Sequence, residues 1–277
     1  MGISAQDVNK LRKATGAGMM DCKKALVEAD GDFEAAVDLL RAKGQKISAK
    51  RADRETSEGA VFVNTNDAGT TGYVLALNCE TDFVAKNDDF VNIGKEILGV
   101  ASSNDVANVE ALTSSALSDG RLISEHLTDL MGKIGEKIEI SSYEKVSGDV
   151  VVPYIHSNSK LGVLVSLAGA KGDSVTEAGK DVAMQIAAMN PIALNKESVS
   201  QEAIDRELEV GKEQARSEGK PEEMIEKIAN GKLNKFFKEN TLLSQPFVKD
   251  SSKNIEKMLQ EVDSNLTVAE FKRVNIG

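Results

Sequence analysis

"GAVFVNTNDAGTTGYVLALN" (residues 59–78) and "GDVVVPYIHSNSKLGVLVSLAG" (residues 148–169) decide how this chain folds. In each, apolar residues recur at period two on both sides of a polar turn, which is Asn66-Asp67-Ala68-Gly69 in the first. That pattern reads as two strands around a turn. The stretches also repeat one plan, because "GYVLALN" (72–78) matches "GVLVSLA" (162–168) in spacing. After the first come helical patterns from Asn87 to about Ser103 and from about Val106 to Met131, then a third strand, "KIEISSYEKV" (137–146). After the second comes a helix ending at Pro191, while the matching third strand is delayed to "TVAEFKRVNI" (267–276). The expected fold class is α+β: two related halves with antiparallel sheets, the second interrupted by an insert. The halves span 59–147 and 148–197 with 239–277.

The insert, 198–238, reads as two amphipathic helices. Ser198 and Gln201 suggest a capping box, and Ile204, Leu208 and Ala215 mark a stripe. "SEGKP" sets Gly219 past one helix and Pro221 at the start of the next. Met224, Ile225, Ile228 and Phe236 mark the return helix. A projecting coiled-coil hairpin fits this pattern. So do two further core helices, since periodicity does not separate a narrow seam from a wide face.

Ahead of the sheets, residues 1–44 read as three short helices. Ser4 and Asp7 form a capping pair, with Val8 and Leu11 as the stripe. Cys22, Ala25, Leu26 and Ala29 line the second helix; Phe33, Val37 and Leu40 line the third, capped by Asp32. So small a bundle has a thin core and suits docking on a larger body. Residues 45–58 lack a sustained apolar period and read as a helical or flexible linker.

Composition narrows the function. With 41% hydrophobic and 28% charged residues the chain is globular. Its net charge of −10 argues against general nucleic-acid or acidic-membrane binding. Residues 1–58 carry 11 Lys+Arg and 10 Asp+Glu, a balance of +1 that leaves room for a local basic patch there but not for a global one. Cys22 and Cys79 form no C-x-x-C pair and read as buried, reduced thiols. "MGISAQDVNK" has no apolar run of a signal peptide, and Gln6 breaks the myristoylation pattern after Gly2. No stretch reaches the ~18 apolar residues of a membrane-spanning helix, so a cytoplasmic location is expected.

Reactive chemistry is hard to find. "GAGMMD" lacks the third glycine of a dinucleotide loop and follows a helix, not a strand. The two histidines, His126 and His156, have no neighbour at metal-ligand spacing, and no nucleophile elbow occurs. No enzyme activity, cofactor or metal is expected. The unusual feature is "NCETDFVAKN" (78–87), where an apolar strand closes on an acid beside an aromatic, Asp82 and Phe83. Either Phe83 packs into its own core with Asp82 capping the next turn, or the pair protrudes.

Two stretches carry a resemblance. "LRKATGAGMMDCKKAL" (11–26) and "NCETDFVAK" (78–86) closely resemble the signature motifs of bacterial elongation factor Ts, the guanine-nucleotide exchange factor of elongation factor Tu. The likeness covers almost the whole chain. It implies a ubiquitin-associated-type N-terminal domain, a two-part core and an inserted coiled coil. It implies that Thr81, Asp82, Phe83 and Val84 enter between two helices of the partner GTPase and dislodge its Mg²⁺. Arg12, Met19, Met20 and His156 would dock on the partner's nucleotide domain. Ala76 departs from the family, which often carries Glu there. Many relatives continue past "KRVNIG" into a further helix, so any contact made by that helix is expected to be missing. The competing expectation is a passive interaction scaffold that docks through its N-terminal domain.

Overall fold

The computed structural model describes residues 3–277, so the reading of Gly2 lies outside it. Ser4 caps α1 (Ala5–Thr15): its Oγ accepts the Asp7 amide at 3.1 Å, and the Asp7 carboxylate accepts the Ser4 amide at 3.1 Å. Two orphan donors of the helix start are thereby satisfied. Gly16, at φ 67°, leads into α2 (Met19–Glu28). After a turn through Asp30 and Gly31, Asp32 caps α3 (Phe33–Arg51) by accepting the Ala35 amide at 2.9 Å. The three helices close on Val8, Leu11, Cys22, Ala25, Leu26 and Ala36. Phe33, Val37 and Leu40 pack against that cluster but stay partly exposed.

The first half runs β1 (Glu58–Thr65), β2 (Thr71–Cys79), α4 (Asp82–Ala85), α5 (Asp88–Ser103), α6 (Val109–Thr113), α7 (Ile123–Ile134) and β3 (Ile138–Ser147). The helical pattern expected over 106–131 is thus broken in two. Between α6 and α7 the chain turns at Gly120, at φ 82°, and Leu117 is buried in the core. The second half runs β4 (Val150–Ile155), β5 (Leu161–Ala168) and α8 (Asp173–Met189), then α9 (Gln201–Ser217) and α10 (Glu222–Asn240). A short hairpin, β6 (Pro246–Phe247) and β7 (Asp250–Asn254), α11 (Ile255–Val262) and β8 (Thr267–Asn275) complete it.

The sheets are antiparallel, ordered β1-β2-β3 and β4-β5-β8. Helices α5 to α7 cover one face of the first around Leu75, Leu77, Phe90 and Ile97. Helices α8 and α11 cover the second around Val163, Val165, Val182 and Leu259. The uncovered faces meet in a shared core of Val61, Val74, Ala76, Val146, Val151, Leu164, Val274 and Ile276. The result is four layers, helix, sheet, sheet, helix, and the central strands β2 and β5 are buried on both faces. The matched glycines that open these strands serve this contact. A Cβ on Gly72 would lie 2.6 Å from Val151 Cγ1, and one on Gly162 would lie 2.5 Å from Val61 Cγ1. Ala76 sits between the sheets, where an unpaired carboxylate would be costly.

Some local expectations need correction. Helix α3 does not end at Gly44, because that glycine packs and does not cap. A Cβ on Gly132 of α7 would stand 2.8 Å from Gly44 Cα, so the two helices cross backbone to backbone. Ser198 does not cap α9. It lies in a 3-10 turn held by Asn195, and the cap is Ser200, whose Oγ accepts the Ala203 amide at 3.3 Å. On α10 the buried seam is Ile225, Ala229, Leu233 and Phe237, while Met224 faces solvent. Helices α9 and α10 pack on each other, with Gly211 against Ala229, and their base rests on Ala193 and Val199. Among the described residues no helix is long and apolar enough to cross a membrane.

Candidate functional site

Strand β2 ends at Cys79, whose ladder partner on β3 is Ile138. Beyond this pair, side chains replace the ladder. Glu80 Oε1 accepts the Lys137 amide at 2.7 Å. Glu136 Oε2 accepts the Thr81 amide at 3.0 Å, and its Oε1 accepts the Thr81 hydroxyl at 2.7 Å. From the end of α3, Arg51 Nη1 donates to Glu80 Oε1 at 2.6 Å. Just beyond that helix, Arg54 Nη1 donates to Glu80 Oε2 at 2.9 Å.

The single turn α4 follows. Successive side chains on a helix point about 100° apart, and here the division is sharp. Val84 enters the first core, with Ala85 partly buried against it. Phe83 stands 83% exposed. Asp82 does not cap the next turn; its carboxylate accepts Lys86 Nζ at 2.7 Å. That bond holds the Asp82 carboxyl below its usual value, with a smaller contribution from the charge of Lys160. Asn87 closes the tip by capping α5 through the Asp89 amide at 2.9 Å.

Lys160 belongs to the β4–β5 turn, which carries His156. This turn is fixed to β1, because the Val61 amide donates to Ser159 O at 2.7 Å and Lys160 Nζ pairs with Glu58 at 2.6 Å. The exposed His156 faces the Tyr154 hydroxyl, with 3.1 Å between Nδ1 and Oη. The fold therefore brings the turn of His156 to the side of the molecule that bears the tip.

The α1–α2 turn reaches the tip by another route. A Cβ on Gly16 would touch Lys133 Cε at 2.8 Å, and Lys133 Nζ donates to Asp89 Oδ2 at 2.6 Å. Asp89 lies in the first turn of α5, directly after the tip. Met19 and Met20, at the start of α2, are 52% and 63% exposed, so neither belongs to the helical core. Arg12 is also exposed, in the last turn of α1.

Sequence reading missed Glu80, Glu136, Arg51 and Arg54. The arginines lie in the stretch read as linker, and the two glutamates meet their partners only through the β2–β3 register. A cleft of about 550 Å³ separates the first three helices from α5 and α7. Of its acids, Asp21 pairs with Lys43, Asp89 with Lys133 and Asp129 with Arg121, while Asp119 lies 3.0 Å from His126 Nε2. Among the described residues no group of three or more His, Cys, Asp or Glu is placed to hold a metal.

The family model described as Elongation factor TS matches residues 80–277. A protein of Cytophaga hutchinsonii named Elongation factor Ts is 56% identical over 275 residues, which is 99% of either chain. One of Amoebophilus asiaticus with the same name is 55% identical over 277 residues, all of both chains. One of Porphyromonas gingivalis is 46% identical over 277 residues, 100% of this chain and 99% of its own. With a family model across the core and relatives matched end to end, the chain belongs to the elongation factor Ts family of translation elongation factors.

Proposed function

We propose that this protein binds the GDP form of elongation factor Tu and drives GDP release by inserting the Phe83 ring, carried on the 81–84 tip, into the GTPase. The observation that carries the reading is the contrast within α4: Val84 is anchored in the core while Phe83 projects into water. A large ring left in water is a binding resource, since burying a Phe contributes roughly 1.5–3 kcal/mol. In a GTPase, backbone amides grip the phosphates and Mg²⁺ bridges the β-phosphate to the protein. Packed helices move between discrete arrangements, so a ring wedged between two of them shifts the groups that hold the metal. With Mg²⁺ displaced, the phosphate charge is poorly neutralised and GDP departs, leaving the site open to GTP. The exchange factor makes and breaks no covalent bond and uses no cofactor of its own.

One ring is not sufficient. A ten-thousand-fold preference for the nucleotide-free partner corresponds to about 5.5 kcal/mol, more than Phe83 supplies. Thr81, Asp82 and Val84 shape the tip. Arg12, Met19, Met20 and His156 provide further contact with the nucleotide domain. Exposure of both methionines favours this reading, because Met makes adaptable apolar contacts.

The test is release of fluorescent GDP from elongation factor Tu by catalytic amounts of the protein. Phe83→Ala is expected to slow release at least tenfold, the equivalent of about 1.4 kcal/mol, with the fold intact. Release at the wild-type rate would refute the wedge. A stable complex that releases GDP no faster would favour the passive scaffold.

A further inference from the structure

We propose that Glu136 is a positioning residue for the tip, with Glu80 as its reciprocal partner; this inference rests on the wedge reading above. A single helical turn cannot hold its own direction, because helix nucleation is unfavourable. The four residues of α4 must therefore be aimed by what grips their ends. Val84 anchors one side in the core. The other side is Thr81, which occupies the N-cap position yet makes no side-chain capping bond. Its hydroxyl and its amide both donate to the Glu136 carboxylate, at 2.7 and 3.0 Å. A residue type that normally serves its own helix is here given over to a neighbouring segment.

The placement of Glu136 is equally specific. Gly135, at φ 82°, ends α7 in the left-handed conformation, and Glu136 follows it before β3 begins. The β2–β3 ladder has just stopped at Cys79 and Ile138. Each strand then lends a glutamate to the other's backbone: Glu80 takes the Lys137 amide and Glu136 takes the Thr81 amide. Charge-assisted bonds of this kind are short and strong. The Cys79 thiol adds a further restraint by donating to Thr81 O at 3.2 Å. Arg51 and Arg54 tie the same crossing to the end of the N-terminal helices. The mount of the wedge is thus stiffened from β3 and from α3, and neither Glu136 nor Glu80 needs to touch the partner.

The full-length protein tests this through two readouts, with an unfolding midpoint recorded for every variant. In the free protein, Glu136→Ala should speed amide hydrogen exchange at residues 81–85 and leave the rest of the chain unchanged. With elongation factor Tu, it should lower the saturating GDP-release rate about tenfold, as expected for losing bonds to a charged group. The half-saturating concentration should change less. Glu136→Gln, which keeps one acceptor, should recover most of that rate. In a Phe83→Ala background, Glu136→Ala should cost less than about twofold, because a mount without its wedge has nothing to aim. If Glu136→Ala fails to fold, Thr81→Val removes the hydroxyl bond alone and takes its place. Unchanged tip exchange, an unchanged saturating rate, or full additivity with Phe83→Ala overturns the inference while leaving a slow Phe83→Ala variant to support the wedge. A Phe83→Ala variant at the wild-type rate overturns the wedge reading and this inference together.

Discussion

Gly44 of α3 and Gly132 of α7 let two helix backbones touch: a Cβ on Gly132 would sit 2.8 Å from Gly44 Cα. This crossing seats the N-terminal helices on the body of the protein. Alanine normally gains about 1 kcal/mol over glycine inside a helix. Gly231 of α10 shows the ordinary case, since its Cβ would meet nothing within 4 Å. Gly231→Ala is therefore expected to stabilise by about 0.5–1 kcal/mol. Gly132→Ala should destabilise by about 1–2 kcal/mol instead, because overpacking against backbone outweighs the propensity gain. Urea unfolding midpoints of the two variants should move in opposite directions.

Glu80 makes stability depend on pH. Burial alone would lift its carboxyl, but the Lys137 amide, Arg51 and Arg54 outweigh burial and hold it below the usual 4.5. A carboxyl with a depressed folded value contributes fully above its unfolded value, and the contribution is lost as pH falls through the folded one. The loss is therefore expected below about pH 4.5. Glu80→Gln should cost about 2 kcal/mol at pH 7, the scale of hydrogen bonds to a charged group. It should also flatten the acid limb of the stability curve. An equally steep limb in the variant would assign the pH dependence to other acids.

Cys79 should be chemically silent in the native protein. Burial first, then the charge of Glu136, pushes its thiol up to about 12, and thiol reactivity follows the thiolate. Labelling with a disulfide reagent at pH 8 is expected to register neither Cys79 nor the equally buried Cys22 until the chain unfolds. Fast native labelling of Cys79 would mean that the root of the tip opens far more readily than its packing implies.

The two antiparallel sheets were legible because matched strand pairs recur in the sequence, and the delayed third strand, β8, fell where the repeat required it. Their stacking face to face around Val74 and Leu164 was not, because period two does not say what covers either face. Other features depend on the partner of each face. Helix α11 is hard to read from sequence although Ile255, Met258 and Leu259 carry its helical spacing, for it is only eight residues long. Gly44 looked like a helix end because nothing local distinguishes a capping glycine from one pressed against another helix. The orientation of Phe83 was open for a similar reason: in one turn either Phe83 or Val84 could have faced inward. The clasp of Glu136 on Thr81 joins residues 55 positions apart, and no pattern along the chain announces it.

Docking and wedging should separate experimentally. Met19 and Met20 lie outside the cluster of Cys22, Ala25 and Leu26, so replacing both with alanine leaves the helical core intact. If they contribute contact area alone, Met19→Ala with Met20→Ala should raise the half-saturating concentration roughly ten- to a hundredfold. The saturating release rate should stay within about twofold, because uniform binding energy acts on both ground and transition states. Phe83→Ala should show the converse, a lowered saturating rate with a smaller change in half-saturation. A methionine pair that lowers the saturating rate as strongly as Phe83→Ala would mean that the α1–α2 turn also drives the partner's rearrangement. The path for that coupling would run through Gly16, Lys133 and Asp89 to the base of the tip.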